Sequence, residues 1–134
     1  MSRVGLLVCC AIAAAAIFAR PAAKAARSDG LSLYFIDAEG GQATLIVGPS
    51  GESVLVDTGY GAPRSDVSRI TDAMRDAGIQ RIDRLVVTHF HLDHIGGAVD
   101  LANRVPIGAI YDYGEIGVPD DDELRETLDR KSVV

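Results

Sequence analysis

The chain is poor in the residues that mark a disulfide-stabilised fold or a nucleic-acid-binding surface. Its 134 residues include no tryptophan, two cysteines and three histidines, and the formal net charge is -6. The few aromatic residues do not interleave with basic ones, so we expect no dedicated nucleic-acid-binding patch. Both cysteines, Cys9 and Cys10, stand near the N-terminus, which excludes a disulfide framework in the rest of the chain. Hydrophobic residues make up 48% of the sequence, enough for one domain with its own core.

The N-terminal segment has the composition of a secretory signal peptide. Arg3 precedes an unbroken apolar run over residues 4–19, and the sequence AKA at residues 23–25 fits the small-x-small pattern of a cleavage site. The run is shorter than the ~20 residues that a membrane span needs. We therefore expect residues 1–25 to be a signal peptide and the mature protein to be periplasmic or secreted, without a stable membrane span. An uncleaved N-terminal anchor is the alternative.

The rest of the chain shows two periodicities. Short apolar runs rich in strand formers predict strands over residues 31–36, 43–47, 53–56, 85–88 and 105–111. Apolar residues spaced by three and four from Val67 to Ala77 predict a helix. Ser65 or Asp66 is expected to cap its start, and Gly78 its end. A short helix over 98–103 and a further helix after Pro119 complete the pattern. This order of elements indicates a layered α/β (α+β) domain.

All three histidines lie in one stretch, THFHLDHIGG, at residues 88–97. Imidazole and carboxylate groups together suit zinc and related first-row ions. Because alternate residues of an extended segment point the same way, we expect His89, His91 and Asp93 to converge on one side. His94 would then turn in from the adjacent position. The stretch follows a buried-type strand, which is where sites collect in open α/β sheets. It therefore predicts a site for one or more metal ions.

The His-x-His-x-Asp-His motif resembles the signature of the metallo-β-lactamase-fold hydrolases. The resemblance continues upstream in three segments, YFID at 34–37, GGQA at 40–43 and VLVDTG at 54–59. These flanks are similar to the metallohydrolase domain of bacterial competence proteins, the DNA-uptake channels, and to small exported relatives of that domain. Residues 39–42 (EGGQ) depart from the Gly-Gln-Gly-Asp that is usual in the competence type. The resemblance covers about residues 31–111 and implies an αββα sandwich with the site at one edge.

The resemblance also implies a role for each residue of the motif. His89 and His91 would bind a first zinc ion, and Asp93 and His94 would bind a second. Asp93 would in addition be the catalytic residue that handles the proton of the attacking water. Asp57 would support the ligand loop from behind, with an ordinary Asx turn at a strand end as the alternative. Two Zn²⁺ ions are implied, although the same ligands can hold Fe or Mn.

The same resemblance implies ligands that do not follow in this chain. No histidine comes after His94, and Asp112 comes too early to be assigned as the bridging acid of the family. Residues 129–134 can be encoded by a common short-read sequencing adapter, so we expect them to be a non-native tail. We accordingly expect residues 26–128 to be the N-terminal half of the sandwich, a partial domain that is inactive alone.

The leading functional hypothesis is an exported, zinc-dependent hydrolase that uses a metal-activated water. The alternatives are a non-catalytic metal-binding or structural module and a di-iron oxidoreductase of the same fold. The di-iron variant usually has an acid where His91 stands, which favours the hydrolase. The flanking segments do not favour a β-lactamase proper. The sequence leaves open the substrate, a small molecule or a phosphodiester, and the oligomeric state.

Overall fold

The computed structural model of the chain describes residues 29–112, residue 114 and residues 122–129. The predicted signal peptide at residues 1–25 lies outside the described residues, and so do all but the first residue of the predicted tail and the expected helix start at Pro119. No helix of the described part has both the length and the apolar character that a membrane span requires.

The described residues form one mixed sheet of five strands, which lie side by side in chain order. The strands are β1 (Ser32–Phe35), β2 (Thr44–Val47), β3 (Ser53–Val56), β4 (Ile82–Val86) and β5 (Ile107–Tyr111). The first three strands are antiparallel neighbours, whereas β3, β4 and β5 are parallel. Parallel neighbours need long crossover connections, and helices supply both of them here.

Four helices accompany the sheet in the described residues. They are α1 (Val67–Asp76), α2 (Leu92–Ile95), α3 (Ala98–Arg104) and α4 (Asp122–Asp129). The prediction for α1 is confirmed, including its end, where Gly78 has a φ of 68° and Ile79 N–H donates to the Met74 carbonyl at 3.0 Å. The predicted strand over 85–88 is corrected, because regular pairing in β4 begins at Ile82 and ends at Val86.

The helices cover one face of the sheet and bury the core. Strand register aligns Leu45, Leu55, Leu85 and Ile110 in one row, and all four are fully buried. Helical residues complete this core from the other side; they are Val67, Ile70 and Met74 of α1, Ala98 and Leu101 of α3, and Leu124 and Leu128 of α4. The predicted mixed α/β architecture is therefore confirmed.

The opposite face of the sheet is apolar along the row from β1 to β3 and remains open within the described residues. Leu33 and Phe35 of β1 are 49% and 81% exposed. Register places Leu33 beside Ile46, and Ile46 beside Val54, which are both half-buried. This second apolar face is what a sheet in the middle of a layered sandwich presents to its next layer.

Candidate metal centre

The candidate site lies where the parallel strands β3 and β4 end. Val56 pairs with Val86, and the next residue, Asp57, donates its backbone N–H to the Val86 carbonyl at 2.8 Å. Thr88 follows two residues after the end of β4. Because the carboxyl ends of parallel neighbours meet at one edge, the VDTG segment comes to lie beside the histidine stretch.

Asp57 is the hub of this edge. It is fully buried and has a φ of 58°, a left-handed conformation that aspartate tolerates better than most residues. Its carboxylate accepts hydrogen bonds from the N–H and the hydroxyl of Thr88, at 2.8 and 2.7 Å. The same carboxylate lies 2.8 Å from Nδ1 of His94.

The contact with Asp57 fixes the tautomer of His94. An ionised carboxylate can only accept hydrogen bonds, so Nδ1 of His94 carries a hydrogen, and in the neutral ring Nε2 keeps its lone pair. Metal-binding histidines commonly have such a carboxylate behind them, which orients the ring and raises its basicity. The geometry is thus the one that the predicted supporting role requires, while the role of Asp57 in metal binding stays a prediction.

The predicted ligands stand together at the same edge. The His89 ring centroid lies 3.8 Å from that of His94 and 4.7 Å from that of His91. Nε2 of His94 lies 3.5 Å from Oδ2 of Asp93. His91 is exposed, whereas the other three side chains are half-buried. The stretch therefore offers all four predicted donors from one half-open edge.

The backbone of the stretch differs from the extended segment that alternation predicted. His91 is extended, with φ -73° and ψ 145°, but α2 begins at the next residue. The N–H groups of His94 and Ile95 both donate to the His91 carbonyl. Alternation along an extended segment therefore stops before Asp93, and the extended backbone expected there is wrong. The turn forms because it buries Ile95, which is 1% exposed.

The donor set fits zinc in its chemistry and, for one pair, in its spacing. Two ligand atoms of a tetrahedral zinc, each about 2.1 Å from the ion, are about 3.4 Å apart. The 3.5 Å between Nε2 of His94 and Oδ2 of Asp93 matches that separation. Within the described residues, no group of three or more His, Cys, Asp or Glu side chains is arranged to hold an ion. His94 and Asp93 thus lie at the spacing of two zinc ligands, whereas the four predicted donors together are not arranged around one ion.

Three contacts that the sequence did not reveal fix the backbone of the ligand turn. Thr58, which is fully buried, donates its N–H and its hydroxyl to the His94 carbonyl, at 2.7 and 3.0 Å. Gln42 donates its N–H to the Asp93 carbonyl at 3.0 Å. Gly41 lies against the same carbonyl so closely that a Cβ there would be 2.4 Å from the oxygen. The GGQ and DTG segments stand out in the sequence as part of the family resemblance, but only the fold shows that they contact the ligand turn.

Charged side chains flank the site on the side of α1. The Glu39 carboxylate, and after it that of Asp66, raise the pKa of the Arg69 guanidinium above its usual range. Arg64 lies 3.4 Å from Glu39 and 4.4 Å from the centroid of the Tyr60 ring. The basic residues at this edge therefore already have acidic or aromatic partners.

Comparison with known proteins places the chain in a family. The metallo-beta-lactamase superfamily model matches residues 36–134. The thioesterase pkgB of Emericella nidulans is 38% identical over 73 residues, which are 54% of this chain and 21% of that protein. The ribonuclease Z of Bradyrhizobium diazoefficiens is 35% identical over 68 residues, 51% of this chain and 21% of that protein. The chain thus spans about a fifth of the length of these curated relatives.

The chain is also similar in part to a solved structure. MEM-A1, a subclass B3 metallo-beta-lactamase isolated from a soil metagenome library, has 27% identity and a TM-score of 0.49, over 60% of this chain and 29% of that chain. The family match covers well over half of the present sequence and includes the whole histidine stretch. The chain therefore belongs to the metallo-β-lactamase superfamily.

Proposed function

We propose that this chain carries the ligand-bearing segment of a zinc-dependent hydrolase. The observation that supports the proposal is the row Asp57–His94–Asp93, in which a buried carboxylate holds the imidazole and leaves its Nε2 beside a second carboxylate. His89, His91, Asp93 and His94 would hold the metal, as two ions in the complete site. A bound zinc ion supplies a water whose pKa is about 7, and hence hydroxide at neutral pH.

The residues of the chain itself would orient the metal ligands and deprotonate the attacking water. Asp57 keeps His94 in the tautomer that can coordinate, and Thr88 in turn holds Asp57 with two hydrogen bonds. Asp93 is half-buried at the open edge, where its carboxylate would accept a proton from the attacking water. Thr58 and Gln42 keep the ligand turn in place by binding the carbonyls of His94 and Asp93.

Hydrolysis is the reaction class that the family membership supports best. The relatives named above are a thioesterase and a ribonuclease, and both names describe hydrolases. Thioesters and phosphodiesters are accordingly the substrate classes that we propose to test first. The competence-type resemblance stays a prediction, as does export directed by residues 1–25. The activity of the whole protein is likewise a proposal, since the chain spans about a fifth of the relatives' length.

A non-catalytic metal-binding module is the second candidate. It is favoured by one observation, that within the described residues no group of three or more donors is arranged to hold an ion. The two candidates agree on metal binding and differ in turnover. Turnover of a thioester or a phosphodiester by the zinc-loaded chain would exclude the module. Zinc binding without turnover fits both candidates, because the partial domain is expected to be inactive alone.

Zinc titration of the full, metal-free chain by calorimetry tests the proposal. We expect saturable binding that His94→Gln weakens at least about tenfold, because the imidazole ligand that Asp57 orients is lost. Asp76→Asn is the matched control. It removes an exposed acid at the far end of α1, about 14 Å along the helix from its start, and should leave the affinity unchanged.

The same samples are then assayed with a thioester, a phosphodiester and a β-lactam. Turnover that requires zinc and disappears in Asp93→Asn supports the hydrolase. If the wild-type chain binds no zinc, or if His94→Gln binds it as well as the wild type, the proposed function is wrong.

A further inference from the structure

Asp66 is a fully buried acid, and its place at the start of α1 does not by itself account for that burial. It is the N-cap residue of α1, yet its side chain makes no capping bond to the helix. Oδ2 of Asp66 accepts the backbone N–H of Tyr60 at 2.9 Å, and Oδ1 accepts from Arg69 at 2.7 Å. The Asp66 N–H also donates to the Tyr60 carbonyl at 3.1 Å. A buried carboxylate is costly, and this one joins the loop at Tyr60 to the Arg69 side chain of its own helix.

The loop that Asp66 holds lies directly against the ligand turn. The Gly59 carbonyl accepts the N–H of Gly97 at 3.2 Å. Gly61 contacts Gly96 so closely that a Cβ on Gly61 would be 2.3 Å from the Gly96 carbonyl oxygen. Gly59 itself has a φ of 65°, and a Cβ there would be 2.7 Å from Oδ2 of Asp66. Glycine at position 59 therefore lets the carboxylate approach the loop closely.

Arg69 extends the contact to a second loop, which contains Glu39. Its guanidinium donates to Glu39 at 2.9 Å, and Glu39 has a left-handed φ of 46°. Arg64 clamps the same segment by donating to the carbonyls of Ala38 and Glu39, at 2.8 and 3.0 Å. This segment continues into the glycine and glutamine that contact the Asp93 carbonyl. Gln42 also accepts the N–H of Gly59 at 2.8 Å, which joins the two loops.

We propose that Asp66, with Arg69 and Glu39, is a positioning residue of the metal centre. The chain of charges from Asp66 through Arg69 to Glu39 holds both loops against the turn that carries Asp93 and His94. It thereby sets the spacing of the two ligands, and its loss lowers metal affinity without removing a ligand. The metal-binding part of this inference rests on the proposed function.

Asp66→Asn in the full chain is the decisive variant, because it keeps the shape and removes the charge that faces Arg69. Asp72→Asn is its matched control, since Asp72 forms the same i,i+3 pair with Arg75, at 3.0 Å, but on the exposed side of α1. Cobalt titration followed by visible absorption reports affinity and ligand geometry. We expect the cobalt dissociation constant to rise about tenfold in Asp66→Asn, the lower end of the loss seen when a ligand's support is removed. Asp72→Asn should leave it unchanged.

Amide hydrogen exchange of the metal-free protein gives a readout that needs no metal. The N–H groups of Thr58 and Gly97 should exchange faster in Asp66→Asn than in the wild type or in Asp72→Asn. If Asp66→Asn does not fold, Glu39→Gln replaces it. Glu39 is 54% exposed at its side chain, so this variant should fold. We expect its cobalt dissociation constant to rise by less than about tenfold but to lie above that of Asp72→Asn.

The outcomes separate the two proposals. Unchanged cobalt affinity and unchanged exchange at Thr58 and Gly97, even with a lower melting temperature, would make Asp66 a structural residue only and overturn the inference. A wild-type chain that binds no cobalt would overturn the proposed function, and the exchange rates of the metal-free variants would still decide the role of Asp66.

Discussion

At both ends of the parallel pair β3–β4, an aspartate joins the two strands. At the amino end, Oδ2 of Asp83 accepts the N–H and the hydroxyl of Ser53, at 2.9 and 3.2 Å. At the carboxyl end, Asp57 accepts the N–H and the hydroxyl of Thr88, at 2.8 and 2.7 Å. Each carboxylate thus receives one backbone and one hydroxyl donor from a single residue of the neighbouring segment.

The two aspartates differ in the third partner that they take. Asp83 is 28% exposed at its side chain and pairs with Arg81 at 2.9 Å. Asp57 is fully buried, adopts a left-handed backbone and takes His94. A guanidinium has only hydrogen-bond donors, so the Arg81 side chain cannot bind a metal ion. An imidazole whose Nδ1 is bound to a carboxylate can still offer Nε2 to a metal ion. Strain in the backbone is also confined to the end with the histidine, as is common at functional sites.

The largest difference between the two ends is expected when each aspartate is replaced by asparagine. In Asp57→Asn, an amide N–H faces His94 and favours the tautomer whose hydrogen lies on Nε2, so zinc affinity should fall about 10- to 100-fold. The free energy of unfolding should also fall by about 2 kcal/mol, because a buried network loses an acceptor. Asp83→Asn should lower stability by about 1 kcal/mol and leave zinc affinity unchanged. Calorimetry and urea unfolding measure both quantities. Equal zinc affinity in the two variants would contradict the distinction.

Removing the hydroxyl group that each aspartate accepts should lower the free energy of unfolding at both ends but lower zinc affinity only at the carboxyl end. Ser53 is fully buried, and its hydroxyl also bonds the Arg81 carbonyl and the Asp83 N–H. Ser53→Ala should therefore cost about 1–3 kcal/mol of unfolding free energy and spare zinc affinity. Thr88→Val should cost about 1 kcal/mol, since the Thr88 N–H still binds Asp57. Its zinc affinity should fall because Asp57 is held less firmly. A loss of zinc affinity in Ser53→Ala as large as that in Thr88→Val would refute this order.

The smallest effect is expected at the exposed member of the amino-end contact. Arg81 is 60% exposed at its side chain, so its ion pair with Asp83 is largely solvated. Arg81→Gln should change the unfolding free energy by less than about 1 kcal/mol. Zinc affinity should stay at the wild-type value. A larger destabilisation, measured by urea unfolding, would mean that the amino-end contact depends on its charge as the carboxyl-end contact does.

Local regularity explains which parts of the fold could be predicted. The bounds of β3 were predicted to the residue, and α1 within one residue, because alternation and helical spacing are properties of neighbouring side chains. The helix α2 was missed, since four residues are too few to show a period. Its form depends on burying Ile95 in a core that distant strands supply.

The sequence by itself determined the donor set, because three histidines and an acid in six residues suit a metal whatever surrounds them. It also determined that a strand leads into these donors, although not the bounds of that strand or the short helix α2 that carries Asp93 and His94. Only the tertiary structure decided which nitrogen of His94 is free, because the carboxylate that fixes it stands 37 residues earlier in the chain. The same is true of Asp66, which contacts one loop directly, at Tyr60, and a second loop only through Arg69. Hydrogen bonds between distant residues depend on strand order and register, and no local pattern encodes them.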